Sequence, residues 1–338
     1  MKYFKTMQGK DVRKMKILVY GAGVLGSYLA HTLMQAGNEV FMLARGERYK
    51  QLAQDGLVIQ HFFQRKKTVD KINLVRSLEA FDYYDIIFVV MQYHQFQSVL
   101  PVLAANVSEN IALVGNNADA ETMRDFLIKN STTKKKVAFG FQTSAGMRTD
   151  TGTVISIHGG GNVMAGELGD TMKVFPAIKK AFGEKYKVTY QRNIDAWLKS
   201  HYVMILPMNS TYYLFNNDFK KVSKDKYALK RMIEATDEGF SALERLGYTI
   251  TPATQAKLFR QYKGVYYLAM KIYHKLPMSR VVQGTFDEMN GLYEAFDKMK
   301  TQTNYVGPVW DALQKEAMDK YHSQSLLPRD SKKSAGLL

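Results

Sequence analysis

The stretch VYGAGVLGSYLAHTL, residues 19–33, decides the fold. A short apolar run, KILVY (16–20), leads into Gly21, Gly23 and Gly26 in a G-x-G-x-x-G pattern, and a helical pattern follows from about Val24 to Gln35. In such a turn the first glycine permits the tight bend and the second lets the backbone approach a pyrophosphate. The third lets the helix pack closely on the strand. N–H groups at the helix start, with the dipole behind them, then face the anion. A glycine-rich turn with no ligand is the competing reading. The position inside a β-α-β unit near the start of the fold favours dinucleotide binding by Gly21, Ala22, Gly23, Val24, Leu25 and Gly26.

Working outward, the second strand ends in FMLARGER, residues 41–48. Units of this kind often place an acid here to hold a ribose hydroxyl, but this chain carries Arg45, with Arg48 as a second candidate. A guanidinium pairs a phosphate in bidentate fashion, so Arg45 points to the 2′-phosphate of NADPH, which an acid would repel. The bland alternative is a solvated surface arginine. DIIFVVM (85–91) is an unbroken apolar run, suiting a strand buried on both faces. The helix FQSVLPVLAANV, the strand NIALVG, a helix through AETMRDFLI and the strand KVAFGFQT follow in turn. That alternation predicts an α/β fold: a Rossmann-like, doubly wound and mostly parallel sheet with right-handed crossovers. GTVISIHGGGNVMAGEL reads as extended segments joined by a glycine turn. From about Asn193 helical periodicity dominates, so an all-helical C-terminal domain is expected. The expected division is a flexible extension over 1–14, a nucleotide-binding domain over 15–192, a helical substrate domain over 193–325 and a flexible tail over 326–338. MKILVYGAG makes Met15 a natural first residue of the fold, leaving Met1 and Met15 as alternative starts.

Composition narrows the classes. The 338 residues are 46% hydrophobic and 23% charged, enough for two domains with cores of their own. With no cysteine, disulfides, thiolate metal sites and a cysteine nucleophile are excluded. The seven histidines show no H-E-x-x-H spacing, so no metal site is expected, and no G-x-S-x-G elbow points to hydrolase chemistry. No apolar run approaches the roughly 20 residues that cross a bilayer, and the basic start lacks a signal peptide's apolar core. A cytoplasmic protein without membrane association is the expectation. The net charge of +16 would suit nucleic acid, but the basic residues are scattered and no nucleic-acid-binding signature is present. The densest run, TTKKKV (132–137), reads as a solvated turn entering a strand. The expected partner is an anionic small molecule rather than nucleic acid, and a homodimer is left open.

Taken together, these segments resemble the ketopantoate reductase (2-dehydropantoate 2-reductase) family over most of the chain, from Met15 to about Lys320. The stretch from KILVYGAGVLG to KQLAQDGL is similar to the family's opening, including the arginine for the 2′-phosphate. In LVGNNADAE, Asn116 falls where the family has an asparagine between nicotinamide and substrate, and TSAGMRTDTGTVISIHGGG puts Ala145 near the nucleotide. GPVWDALQKEA resembles the family's last helix. The resemblance implies a two-domain NADPH enzyme that reduces a 2-oxo acid, with ketopantoate as the default substrate in a step of pantothenate biosynthesis.

In DAWLKSHYVMILPMNSTYYLF, Trp197 and Lys199 match a Trp-x-Lys whose lysine acts on the substrate carbonyl in the family. An ammonium there stabilises the charge that hydride delivery places on the oxygen, then donates the proton. Lys199 is therefore the expected general acid, against the common fate of a lysine on a helix surface. Asn217 matches a substrate-contacting asparagine, although Asn216 fits equally and either could cap a turn. Other family positions differ: Val203 and Pro207 stand for two asparagines, Gln92 for a lysine, and Thr285 for a glutamate. Thr285 and Glu288 instead fit a helix-capping box. His201, two residues past Lys199, is expected to be structural, with His158 a weak candidate for the cofactor. Tyr202, Tyr212 and Tyr213 read mainly as core packing. The loss of polar partners leaves two rival readings: a diverged paralogue reducing another carbonyl compound, or a non-catalytic NADPH-binding sensor.

Overall fold

The computed structural model describes residues 14–158, 161–277, 279 and 285–325. The expected N-terminal extension through residue 13, the tail 326–338 and the middle of the expected glycine turn, Gly159 and Gly160, lie outside the described residues.

Strand β1 (Lys16–Tyr20) feeds helix α1 (Val24–Gln35), which returns the chain to β2 (Glu39–Leu43) and α2 (Gly46–Asp55). A hairpin follows, β3 (Leu57–His61) and β4 (Lys66–Asp70), then the short β5 (Asn73–Val75). β6 (Ile86–Val90), α3 (Phe96–Ala105), β7 (Asn110–Val114), α4 (Ala120–Lys129) and β8 (Lys136–Gln142) continue the alternation. The unit closes with β9 (Ala145–Arg148), β10 (Val154–Ile157), β11 (Val163–Gly166), α5 (Phe175–Phe182) and β12 (Val188–Tyr190).

Eight of these strands form one sheet in the order β12-β11-β8-β7-β6-β1-β2-β5. Its pairings are parallel except that between β8 and β11. The expected doubly wound sheet is thus the observed one. β6 is buried along its whole length, because helices cover both faces of a parallel sheet. The chain reverses its direction of winding between β1 and β6, and a crevice opens at that point beyond the carboxyl ends of the strands.

A second sheet, β4-β3-β10-β9, was not anticipated. Its signal is the alternation in LVIQH, where Leu57, Ile59 and His61 point inward. The TTKKKV segment also differs from expectation. Lys135 is buried, and its ammonium donates to the Ser108 carbonyl (2.8 Å) and to that of Asn106. Burial pushes it down to about 8.

From Ile194 onward every described element is helical: α6 (Ile194–Leu214), α7 (Phe219–Lys224), α8 (Lys226–Arg245), α9 (Ala253–Arg260), α10 (Lys263–Tyr273), α11 (Phe286–Lys300) and α12 (Pro308–Ser325). α6 starts where the Ala196 N–H donates to Asn193 Oδ1 (3.1 Å). One apolar core runs from the α3/α4 face of the sheet through Phe139, Ile194 and Trp197 into the helices, so α6 is packed against β8. Tyr202 and Tyr293 are among its largest fully buried side chains, in keeping with the packing role read for the tyrosines. No described helix is long and apolar enough to cross a membrane.

Candidate active site

A cleft of about 1470 Å³ lies along the carboxyl ends of β1, β2, β6, β7 and β8 and reaches α6, α10 and α11. Pockets for drug-sized ligands span roughly 300–1,000 Å³. This one has room for a long ligand and a second small one.

At one end stands the glycine turn. A Cβ on Gly26 would fall 1.9 Å from the Gly21 carbonyl oxygen, so helix and strand approach as closely as glycine allows. At Gly23 a Cβ would meet nothing within 4 Å. That open space faces the first turn of α1, which has no side-chain cap. Arg45 ends β2 with its side chain exposed, its Nη2 donating to Tyr20 Oη (2.8 Å). Arg48 is placed differently: its three nitrogens donate to Ala22 O (3.1 Å), Gly152 O (2.7 Å) and Ser27 Oγ (3.1 Å). It clamps the glycine turn to the β9–β10 turn. Burial, aided by the nearby Arg148 charge, lowers it to about 10, so it stays charged at neutral pH. Arg148, which the sequence reading passed over, comes across from β9 with an exposed guanidinium. Arg45, Arg48 and Arg148 all line this end, and Glu288 is the one carboxylate among the described lining residues.

Gly21, Ala22, Gly23, Val24, Leu25, Gly26, Arg45, Asn116 and Ala145 are all brought to the cleft. Asn116 is buried at the end of β7, and its Nδ2 donates to Glu288 Oε1 (3.1 Å). Its Oδ1 has no hydrogen-bond partner, and the buried Ser144 Oγ beside Ala145 has none either. A cradle left open at Gly23 and two orphaned polar oxygens along the same cleft fit a dinucleotide with a polar carboxamide end.

Two expected residues are not brought there. Lys199 is 4% exposed, ion-paired with Asp195 one turn earlier, and its ammonium lies 4.9 Å from the Tyr248 ring centroid. The cleft face of α6 is set by His201, Ile205, Met208, Asn209 and Tyr212. Those spacings mark one side of a helix, and Lys199 stands about 200° around from His201. The expectation of Lys199 at the substrate therefore meets a different helix face, and His201, expected to be structural, is the residue on the cleft. Asn217 also stands off the cleft lining. It adopts φ 58 just past α6, where its N–H donates to the Tyr212 carbonyl (2.8 Å). Neighbouring Asn216 accepts from Lys320 (2.5 Å), so both asparagines finish the helix.

His201 stacks on Trp197 (centroids 5.2 Å, planes 6° apart) and lies 4.2 Å from the Phe141 ring. His158 stacks on Tyr28 and shares a hydrogen bond with His61 (3.0 Å), away from the described cleft lining. The Thr285 hydroxyl does cap α11, accepting from the Glu288 N–H (3.4 Å). The Glu288 carboxylate does not complete the capping box. It reaches into the cleft instead, accepting from Asn116 and from the Tyr93 N–H (3.3 Å), and burial raises its pKa. Glu288 was hidden in the sequence because the same TFDE spacing satisfies a helix start.

The fold and the cleft define a Rossmann-like α/β domain joined to a helical domain, with an acid–amide pair where the two meet. The sequence profile described as Ketopantoate reductase PanE/ApbA matches residues 17–170. Among solved structures, 2-dehydropantoate 2-reductase from Methylococcus capsulatus superposes with a TM-score of 0.70 at 16% identity, covering 93% of this chain and 98% of that one. The Geobacter metallireducens 2-dehydropantoate 2-reductase gives 0.69 at 15%, covering 90% and 99%. D-mandelate dehydrogenase, solved with NADH and anilino(oxo)acetate, gives 0.70 at 19%, covering 93% and 100%. At these identities the likeness is one of fold. Comparison with curated protein sequences gives no match.

Proposed function

We propose that the protein is a cytoplasmic, NADPH-dependent reductase that converts a 2-oxo acid to a 2-hydroxy acid. In this reading residues 15–192 hold the coenzyme and 193–325 close over the substrate. The supporting observation is one continuous cleft. It carries a glycine cradle and the exposed guanidinium groups of Arg45 and Arg148 at one end, and Asn116, Glu288 and the α6 face at the other. When bound, the reduced nicotinamide supplies the hydride.

The chain's own groups do the positioning. The open side of Gly23 and the uncapped N–H groups of α1 take the pyrophosphate, and Arg45 with Arg148 takes the 2′-phosphate. Asn116 Oδ1 and Ser144 Oγ are free to accept from the carboxamide, while Glu288 fixes the Asn116 amide. Asn209 and Gln92 bring the amide donors that a substrate carboxylate needs.

Ketopantoate is the default substrate of the matched family, which would place the step in pantothenate synthesis. A diverged paralogue taking a bulkier 2-oxo acid is favoured by Ile205, Met208, Tyr212, Tyr273 and Phe141 around the same end of the cleft. NADPH consumption by the purified protein with ketopantoate and with aryl and branched-alkyl 2-oxo acids decides between them. Turnover of ketopantoate above all others selects the default. Turnover of bulky acids alone selects the paralogue, and NADPH binding without turnover of any carbonyl compound leaves the sensor.

Arg45→Ala is expected to weaken NADPH binding by about 10- to 100-fold, the loss of a charge-assisted contact of roughly 1.5–3 kcal/mol. NADH binding should change less than about threefold. Equal losses for the two coenzymes, measured by fluorescence titration, would remove Arg45 from the 2′-phosphate.

A further inference from the structure

We propose that His201, and not Lys199, is the proton donor to the substrate carbonyl in this chain. The proposal rests on the reductase reading above and specifies its acid. The first ground is the helix face. His201, Ile205 and Asn209 are spaced by four along α6, and all three line the cleft. On the opposite side of α6, Val203 and Pro207, one and two turns past Lys199, are buried in the core. The cleft face thus presents an imidazole, an apolar side chain and an amide on successive turns.

The second ground is the supply of acids. Lys199 is held by Asp195 under Tyr248 and does not line the cleft. The guanidinium groups of Arg45, Arg48 and Arg148 belong to the opposite, glycine-turn end. The ionisable groups that share the domain-junction end with His201 are Glu288 on α11, Tyr212 on α6 and Tyr273 on α10. Glu288 is already engaged as an acceptor from two N–H groups. Tyr212 Oη is bonded to His274 Nε2 (2.8 Å), and burial raises both tyrosines. Trp197 and Phe141, packed on the imidazole, carry no charge. Among the described residues no hydrogen bond occupies either ring nitrogen of His201.

The chemistry follows from that setting. Burial pushes the His201 imidazole down to about 4, so it is neutral at pH 7. A 2-oxo acid brings a carboxylate, and a negative neighbour favours the protonated ring. Substrate binding therefore loads the acid with a proton from water. With the coenzyme bound, its reduced nicotinamide would supply a hydride with two electrons to the carbonyl carbon. The C=O π pair moves to oxygen, the imidazolium N–H bond breaks, and the O–H bond of the hydroxy acid forms. Neutral imidazole and the oxidised coenzyme remain.

The test uses the full chain and two variants. His201→Gln should lower kcat by about 10²- to 10³-fold, the usual worth of a positioned acid, with NADPH affinity unchanged within about twofold. His201→Lys should regain at least about a tenth of wild-type kcat. The pH at which its kcat falls should move upward, because an ammonium holds its proton to higher pH than an imidazolium. In a second readout, ¹⁵N-histidine NMR of the wild-type protein should show the His201 ring neutral alone and protonated when saturated with oxamate, an unreducible 2-oxo acid mimic. Wild-type turnover that survives in His201→Gln, or a ring that stays neutral at saturating oxamate, overturns the proposal. A wild-type protein that reduces no 2-oxo acid overturns the reductase reading itself, an outcome separable from a wild-type enzyme indifferent to His201.

Discussion

Gly23→Ala is expected to abolish tight coenzyme binding while leaving the fold intact, and Gly26→Ala to do damage of the opposite kind. A methyl at Gly23 meets no protein atom within 4 Å, so the melting temperature should hold within about 1 °C, as for a substitution outside the packed core. The same methyl projects into the space where a pyrophosphate must come close to backbone. An NADPH affinity loss of about 100-fold, about 2.8 kcal/mol, is expected. At Gly26 the methyl would lie 1.9 Å from the Gly21 carbonyl oxygen. Helix α1 must then move off β1, with a stability cost of about 3 kcal/mol or more. Thermal unfolding and NADPH titration of the two variants separate these effects. If Gly23→Ala binds NADPH normally, the coenzyme does not cross this turn.

The second large effect concerns Lys199 and Asp195. Removing one member of a buried pair strands the other, at about 3–5 kcal/mol when the remaining charge is enclosed. Lys199 has a side chain only 6% exposed and Asp195 one 21% exposed. Asp195→Ala, which leaves the ammonium with only the Tyr248 ring, should therefore lower stability more than Lys199→Met. Both variants, corrected for folded fraction, should keep NADPH affinity and kcat within about threefold, since neither side chain lines the cleft. A Lys199→Met protein with native stability and a hundredfold loss of kcat would return the proton-donating role to the lysine.

The glycine turn and the parallel sheet around it were legible in the sequence because their information is local. The turn needs Gly21, Gly23 and Gly26 within six residues, flanked by an apolar strand and a helix, and Arg45 follows at the next strand end. The substrate half depends on which side of a helix faces inward, and there each residue of miscounting turns the answer by about 100°. An offset of two residues separates Lys199, buried against Asp195, from His201, which lines the cleft with Asn209. Trp197 belongs to the same question of helix face. It lies one turn before His201 and stacks on it, so it marks the helix without marking the lysine. Glu288 was concealed by a second physical cause, because one spacing serves both a helix cap and a cleft acid. The sheet β4-β3-β10-β9 pairs segments nearly a hundred residues apart, a relation that strand periodicity alone does not contain.

The most direct measurement follows a deuteride. NADPH labelled with deuterium at the transferable position of the nicotinamide would be mixed with the purified protein and the 2-oxo acid it turns over fastest. Mass spectrometry of the resulting acid should find one deuterium on the carbon that carried the carbonyl, in step with NADPH oxidation. Coenzyme oxidation that leaves the acid unlabelled and unreduced would contradict hydride transfer across this cleft.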